Sequence, residues 1–149
     1  MTRNEVFSWG SNKYGQLGDT HFKKANLPVR LDAFDVLAEE IVQVSCGGSH
    51  TLFLTSEHDV ISCGNNRHGQ CGFDPQECMK TAVPFKVAAF DGVSMMQVNA
   101  GYEHSLFLSD QGQVFASGSN TNLQVGIGDG FDKTKTPVFV NIFENTRVV

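Results

Sequence analysis

The feature that most constrains this sequence is an internal repeat with a period of 54 residues. Val6–Gly10 aligns without gaps with Val60–Gly64 and with Val114–Gly118. A second block, Val44–Leu54, aligns at the same shift with Val98–Leu108. Asn recurs in step at positions 12, 66 and 120, Gln at 16, 70 and 124, and Gly at 18, 72 and 126. A fixed period of about this length is typical of propeller and solenoid repeats.

Each repeat unit predicts four short strands and no long helix. In the second unit we expect strands at Met95–Ala100, His104–Ser109, Val114–Ser117 and Pro137–Val140. Proline suits the outermost strand, because an edge strand need not donate every ladder hydrogen bond. A loop of nearly twenty residues separates the third strand from the fourth. Asp32–Glu40 is long enough only for a short helical turn. Four strands per unit indicate an all-β propeller blade.

Two motifs resemble those of a known repeat family. Trp9–Gly18 reads WGSNKYGQLG and closely resembles the W-G-x-N-x-x-G-Q-L-G signature of RCC1 (regulator of chromosome condensation) repeats. Cys46–Leu52 resembles the G-x-x-H-[ST] block of the same family. The later units depart from the signature: Cys63 and Ser117 stand where the first unit has Trp9, and Leu123 stands where the other two units have glycine. The resemblance implies an RCC1-type β-propeller.

The length is short for a closed propeller. We interpret residues 1–149 as one partial RCC1-like domain with repeat units at 6–59, 60–113 and 114–149, the last incomplete. This arrangement predicts an N-terminal half blade followed by about two four-stranded blades, fewer than the ~4 blades at which propellers begin to close. The resemblance implies that inner strands from the far C-terminus complete the N-terminal pair in full-length family members. We therefore expect a truncated form with open strand edges, which favour homo-oligomers or leave the chain marginally stable.

Composition and charge exclude several classes of function. The chain carries 16 acidic and 11 basic side chains, and Lys23-Lys24 is the only adjacent basic pair. Direct nucleic-acid binding is not expected, because it draws its affinity from clustered Lys and Arg. No apolar run approaches the ~18 residues of a membrane span. The N-terminus lacks the apolar core of a signal peptide, so we expect an intracellular protein, cytoplasmic or nuclear, with reduced cysteines.

The recurring histidines and glycines predict structural roles. We expect the imidazoles of His50 and His104 to bond backbone groups near the central axis and to tie neighbouring blades, since one catalytic site rarely needs the same residue in every repeat. The repeated glycines are Gly10, Gly18, Gly64, Gly72, Gly118 and Gly126. Positive φ angles and close backbone approach explain them. A phosphate-binding loop would need a following helix with Lys and Ser or Thr at fixed offsets, which the sequence lacks.

Four residues, Cys63, His68, Cys71 and Cys78, have a spacing that superficially resembles a zinc site. The repeat alignment argues for packing instead, because Cys63 aligns with Trp9, and Cys71 takes the place of a leucine in the first unit and a valine in the third. Free cysteine behaves as a small hydrophobic residue. We therefore predict no metal and no cofactor. No carboxylate pair or Ser/His/Asp arrangement stands apart from the repeat, so we expect no enzymatic activity.

The loops between third and fourth strands are the candidate partner-binding sites, because repeat proteins carry their individual function in loops. The candidate residues are Tyr14, Phe22, Lys23 and Lys24 in the first loop, Arg67, Phe73 and Asp74 in the second, and Asp129, Phe131, Asp132 and Lys133 in the third. His21, His68, Glu77 and Lys135 lie in the same segments. Mixed aromatic and charged side chains suit a protein-recognition rim. The alternative for any single residue is an ordinary solvated position.

Two functions remain open. The first is a non-catalytic protein-recognition module, part or a truncated form of a larger RCC1-like protein. The alternative is a guanine-nucleotide exchange factor for a Ran-like small GTPase, an activity that the resemblance implies. Such a factor would wedge a loop against the nucleotide site, and the sequence has no inserted hairpin beyond the repeat. Other family roles fit less well, because the plant UV-B receptor depends on clustered tryptophans, whereas Trp9 stands alone, and ubiquitin transfer needs a separate ligase domain.

Overall fold

A computed structural model describes residues 5–36, 39–143 and 146–149, and these residues form ten strands in three antiparallel sheets. The strands are β1 (Phe7–Gly10), β2 (Ala25–Arg30), β3 (Ile41–Cys46), β4 (His50–Thr55), β5 (Val60–Asn65), β6 (Lys80–Lys86), β7 (Met95–Ala100), β8 (His104–Ser109), β9 (Val114–Ser119) and β10 (Lys133–Phe139). Three single-turn 3-10 helices, at Asp32–Phe34, Ala88–Phe90 and Asn141–Phe143, follow β2, β6 and β10, the last strand of each sheet.

The sheets are simple meanders. The first contains β1 and β2, the second runs β3-β4-β5-β6, and the third runs β7-β8-β9-β10. Within each sheet, strands that are adjacent in sequence are therefore adjacent in space. The all-β prediction of an N-terminal half blade followed by two four-stranded blades is confirmed.

The burial of equivalent strands differs between the two complete blades. Every residue of β4 and β5 is buried, because both faces of the middle strands of the first blade pack against other parts of the chain. In the second blade, β8 alternates between half-buried and buried residues. Strand β7 lies against β3 and β4. The first blade is thus enclosed on both faces, whereas one face of the second blade is partly open.

The fourth strand begins earlier than the sequence predicts. The expected strand Pro137–Val140 is wrong at both ends, since β10 spans Lys133–Phe139, and Pro137 lies inside it. The pairing of β10 with β9 shifts register between Thr134 and Val138, and this irregularity accommodates the proline, which has no N–H to donate. The predicted loop of nearly twenty residues is accordingly shorter, spanning residues 120–132.

The largest core cluster lies between the two complete blades. It combines Leu52, Leu54, Val60, Val87 and Phe90 from the first blade with Met95, Val98 and Phe107 from the second. The rings of Phe90 and Phe107 are 4.8 Å apart at their centroids. A second cluster, including Leu31, Phe53 and Ile61, joins the half blade to the first blade. Burial of apolar surface between sheets is therefore the main force that sets one blade against the next.

Helical structure is minor throughout the described chain. The expected helical turn at Asp32–Glu40 is observed only as the 3-10 helix Asp32–Phe34, and residues 37–38 of that prediction lie outside the described residues. None of the helices found in residues 5–36, 39–143 and 146–149 is long and apolar enough to cross a membrane.

Candidate protein-binding loops

Three loops connect the third strand of each sheet to the fourth. We call them loop one (residues 11–24), loop two (66–79) and loop three (120–132). They leave the sheets at the same end as the turns at 47–49 and 101–103, since strands of a meander alternate in direction. One side of the molecule therefore carries all three loops, and we call it the loop face.

A buried asparagine holds each loop from its first turn. In loop two, the Asn66 side chain is fully buried and bonds three backbone groups. Its Oδ1 accepts from the N–H of Cys71 at 3.0 Å, and its Nδ2 donates to the carbonyls of Phe73 and Cys78 at 2.9 Å each. A single side chain thus ties together points of the loop that lie up to 12 residues from it.

The other loops use the same device. Asn12 accepts from the N–H of Leu17 and donates to Asp19 Oδ1 and the His21 carbonyl, while Asn120 accepts from Val125 and donates to the carbonyls of Gly128 and Phe131. Gln16, Gln70 and Gln124 each accept from the N–H two residues earlier, at 2.8–3.0 Å. The sequence analysis gave these residues no role, although their recurrence at fixed positions was the available signal.

The candidate partner-binding residues differ in exposure. Phe22, Lys23, Lys24, Arg67, Asp129, Phe131, Asp132 and Lys133 are exposed, and Tyr14, Phe73 and Asp74 are half-buried. Phe131 keeps 66% of its surface exposed and Phe22 keeps 48%, both unusually high for aromatic side chains. The buried asparagines and the hydrogen-bonded glutamines therefore hold loops that present variable aromatic and charged side chains to solvent.

Loops one and two also contact the neighbouring blade. Loop one reaches β6, where the Thr20 N–H donates to the Ala82 carbonyl at 3.0 Å and Lys80 Nζ lies 4.8 Å from the Phe22 ring centroid. Loop two reaches β10, where Lys133 Nζ donates to the Arg67 carbonyl at 3.4 Å. The structure therefore brings the candidates Arg67 and Lys133 together at a blade junction and places the candidate Phe22 against Lys80 of the next blade.

The histidines take different environments. His50 is buried, and its Nε2 lies 2.9 Å from the Ser105 hydroxyl of the next blade. The contact crosses between blades, as the recurrence predicts, but its partner is a side-chain hydroxyl and not a backbone group. Burial, followed by the nearby His104, lowers the pKa of His50 to about 4. His104 is half-buried, and burial lowers its pKa as well. The six repeated glycines have φ angles of +72° to +108°.

Side chains of β3 join the blades by a second set of contacts. The side-chain amide of Gln43 makes two hydrogen bonds to the backbone of Val98. Its Nε2 donates to the Val98 carbonyl at 2.8 Å, and its Oε1 accepts from the Val98 N–H at 3.1 Å. Ser45 Oγ accepts from the N–H of Ala100 at 2.9 Å. These side chains imitate a strand pairing between two inner strands, and they fix the position of one loop relative to the next. The sequence analysis missed them.

The cysteines pack separately. The thiols of Cys63, Cys71 and Cys78 donate to the carbonyls of Gln16, Asn65 and Lys80, respectively. Burial raises the pKa of Cys63 to about 12 and raises that of Cys71 strongly, so both remain thiols at neutral pH. Within the part of the chain that the structure describes, no three His, Cys, Asp or Glu side chains form a group that could hold a metal ion.

Blades stacked through a shared core, with interblade side-chain hydrogen bonds and one repeated loop framework, define a propeller-type repeat protein. The family model described as "Regulator of chromosome condensation (RCC1) repeat" matches residues 3–54, 57–108 and 111–149. A second model of the same repeat matches residues 41–70 and 97–124. The chain belongs to the RCC1 repeat family.

Similar proteins within the family have diverse roles. The chain is 34% identical over 129 residues to the ultraviolet-B receptor UVR8 of Arabidopsis thaliana, covering 87% of this chain and 28% of the receptor. It is 35% identical over 146 residues to the RCC1-like G exchanging factor-like protein of Mus musculus, covering 89% of this chain and 31% of that protein. The shared repeat therefore does not by itself specify one activity.

A solved structure agrees with the fold. Human WBSCR16 superposes with a TM-score of 0.78 at 30% sequence identity, over 93% of this chain and 35% of that one. The chain thus spans about a third of the length of the proteins and structure that it matches. It is part of an RCC1-type propeller fold, with two complete blades and a half blade in the described residues.

Proposed function

We propose that this chain is a non-catalytic protein-recognition module, and that its partner binds the loop face. The proposal assigns contact to the exposed candidate residues of loops one, two and three. Their side chains combine aromatic surface with charge of both signs, which suits recognition of another protein.

The observation that carries the proposal is the contrast within each loop. The residues whose side chains hold the loops, a buried asparagine and a glutamine such as Asn66 and Gln70, are the same in all three units, whereas the exposed residues change from unit to unit. A constant framework with variable exposed side chains is what a recognition surface requires, because rigid loops lose little conformational freedom on binding. The same contrast gives no support to a catalytic site.

The test compares two exposed apolar side chains on opposite sides of the molecule. A partner is first captured from cell extract, identified and purified, and its dissociation constant is measured for the unaltered chain. Phe131→Ala, in loop three, is expected to weaken binding at least about tenfold, as for a central aromatic contact. Ile142→Ala, at the opposite ends of the strands and 77% exposed, is the matched control and should bind normally. Equal binding by both variants would contradict the proposal.

A second candidate is nucleotide exchange on a Ran-like small GTPase. One observation favours it: the 35% identical mouse relative is an RCC1-like G exchanging factor-like protein. Exchange would need no catalytic side chain, because the factor stabilises the empty GTPase without forming a covalent bond. Against it, residues 5–36, 39–143 and 146–149 follow the repeat pattern, with no inserted hairpin to act as a wedge.

Release of a fluorescent GDP analogue from a Ran-like GTPase separates the two candidates. Acceleration by substoichiometric amounts of the chain supports exchange, and the Phe131→Ala variant then shows whether loop three takes part. Binding to the GTPase without acceleration supports recognition alone. If neither is seen, the GTPase candidate fails and the recognition proposal is tested with its captured partner.

A further inference from the structure

Charge is distributed unevenly between the two sides of the molecule. Residues 11–24, 66–80 and 120–135, on the loop face, contain seven of the 11 basic residues. On the opposite side, residues 31–36, 39–40, 56–59, 88–94, 110–113, 141–143 and 146–149 contain eight of the 16 acidic residues and one basic residue, Arg147. The basic residues that look scattered along the sequence are therefore gathered on the side where the candidate partner residues lie.

Basic side chains on the two sides also differ in their partners. Near the opposite side, the Arg30 guanidinium pairs with the carboxylates of Glu5, Asp32 and Asp35, which raise its pKa, and Lys86 Nζ lies 2.7 Å from Asp59. On the loop face, Lys135 is the only one of the seven basic residues with a carboxylate within 4.0 Å among the described residues. Across the described ranges, no carboxylate lies within 4.0 Å of the charged groups of Arg67 or Lys133. Cations that can take a new anionic partner therefore concentrate on the loop face.

Two of the cations that lack a carboxylate partner, Arg67 and Lys133, line a cleft at the junction between the blades. The cleft has a volume of about 480 Å³ and lies between loop two and the start of β10. Arg67 and Lys133 both line it, and the Lys133 ammonium donates to the Arg67 carbonyl at 3.4 Å, which places the two residues next to each other. Lys135 Nζ lies 3.9 Å from Asp74 Oδ2, and this pairing partly neutralises both groups. Met79, also in the lining, is 64% exposed and provides an apolar surface beside the charges.

We propose that this cleft binds an acidic, extended protein segment with a bulky apolar residue beside its carboxylates. The carboxylates would pair with the Arg67 guanidinium and the Lys133 ammonium, and the apolar side chain would pack on Met79. Arg is suited to this task because its planar donors can bind a carboxylate in a bidentate manner. The inference deepens the proposed function, on which it rests, by assigning one part of the loop face to a partner of stated chemistry.

The charges within the cleft favour a protein segment over a nucleic-acid strand. Glu77 lines the same cleft and has no cationic partner within 4.0 Å among the described residues. A peptide can place a neutral residue opposite it, whereas a nucleic-acid strand carries a phosphate at every step and would meet repulsion there. The chain as a whole also carries a net charge of −5. The cleft thus suits separated carboxylates better than a continuous line of phosphates.

The experiment measures fluorescence anisotropy of a labelled, glutamate-rich peptide with a central phenylalanine, titrated with the full chain. The unaltered chain should bind it, and binding should weaken as salt rises. Arg67→Glu with Lys133→Glu is expected to lower the affinity at least about tenfold, since two attractive contacts become repulsive. Lys13→Glu with Arg147→Glu makes the same change in net charge at exposed positions outside the cleft, at residues to which the proposed function assigns no contact, and should lower the affinity less than about threefold.

Several results would overturn the inference. They are equal losses in the two double variants, no binding by the unaltered chain, binding as tight to a peptide with glutamine in place of glutamate, or tighter binding to oligothymidylate. Met79→Asp, a change outside the two cations, should also weaken binding and keeps the test usable if the charge-reversal variant is poorly folded. Phe131 does not line the cleft, so the Phe131→Ala test of the proposed function succeeds or fails independently.

Discussion

The His50 side chain lies between the two blades in one defined protonation state. The Ser105 hydroxyl donates its proton to the Gln70 carbonyl at 2.6 Å, so it must accept from His50 Nε2. The neutral tautomer with the proton on Nε2 is therefore present. Its Nδ1 is buried without a hydrogen-bond partner among the described residues. Protonation there would place an unpaired charge in the core, which explains the low pKa of the group.

Stability should therefore fall in mild acid. The pKa of His50 is about 4 in the fold and about 6.5 in an unfolded chain. Between these values the unfolded state binds more protons, so the contribution of His50 is present above pH 6.5 and is lost as pH falls towards 4. We expect urea unfolding to give a free energy about 2 kcal/mol lower at pH 5 than at pH 7. His50→Gln should reduce this difference, whereas the exposed-site change His21→Gln should leave it intact.

The first glycine of loop two marks a close approach between blades. Gly69 has a φ of +89°, and a Cβ there would collide with the Thr134 carbonyl and lie 2.6 Å from that of Lys135. Gly15 makes the equivalent approach to Thr81 and Ala82. In the third unit Leu123 takes this position with a φ of +59° and 56% exposure. Leucine is tolerated there because no backbone of a further blade lies against it among the described residues.

These positions predict opposite responses to substitution. Gly69→Ala should destabilise the fold by about 2–4 kcal/mol, since it combines a left-handed non-glycine residue with overpacking against backbone. Leu123→Gly should leave stability unchanged or raise it by up to about 1 kcal/mol, because it relieves the left-handed conformation and removes little packing. Thermal denaturation of both variants checks the pair. A melting temperature equal to that of the unaltered chain for Gly69→Ala would show that the blades do not meet as described.

At the scale of the elements, the hydrogen bonds of one buried asparagine hold the conformation of each loop. Removing the Asn66 side chain leaves the Cys71 N–H and the Phe73 and Cys78 carbonyls without that partner. At about 1 kcal/mol or more for each buried group, Asn66→Ala should cost about 3 kcal/mol. Faster hydrogen exchange across residues 66–79 should accompany the loss.

Asn122→Ala provides the matched control for Asn66→Ala. It makes the same chemical change in loop three, at an exposed position, and should alter stability by less than about 0.5 kcal/mol. If the two variants were equally stable, the buried asparagine would not be what holds the loop.

The order of elements was predictable from the sequence, but several contacts between them were not. The recurrence of the Val6–Gly10 pattern at a fixed shift predicts β1, β5 and β9, and the turn residues predict the strands that precede β5 and β9. The predicted start of the fourth strand, Pro137, is too late, because a proline is expected at the end of a strand and not inside it. In β10 a register shift between Thr134 and Val138 lets the strand continue through Pro137. Arg67 and Lys133, which line the cleft together, are 66 residues apart in the sequence. No local sequence pattern predicts a contact over that separation.

At the scale of the whole molecule, the half blade exposes large apolar side chains beside an open strand edge. Strand β1 pairs only with β2, so its other edge has no strand partner in the described part of the chain. Trp9, at the position where the complete blades have the buried Cys63 and Ser117, is 62% exposed. A groove of about 330 Å³ beside it is lined by apolar residues that include Val44 and Phe53. Unpaired edges with adjacent apolar surface promote pairing between chains.

The isolated chain is therefore expected to associate with further copies as its concentration rises. Light scattering should give a mass above 16.3 kDa that increases with concentration, and the emission of the single tryptophan should shift to shorter wavelength as Trp9 is covered. Trp9→Ser, which installs the residue found at the equivalent position of the third unit, should shift association to higher concentration. Lys24→Ser, on the loop face, serves as the control. A sharp, concentration-independent mass of 16.3 kDa would mean that the edge of β1 and its groove do not drive pairing, leaving the loop face as the surface through which the module meets other proteins.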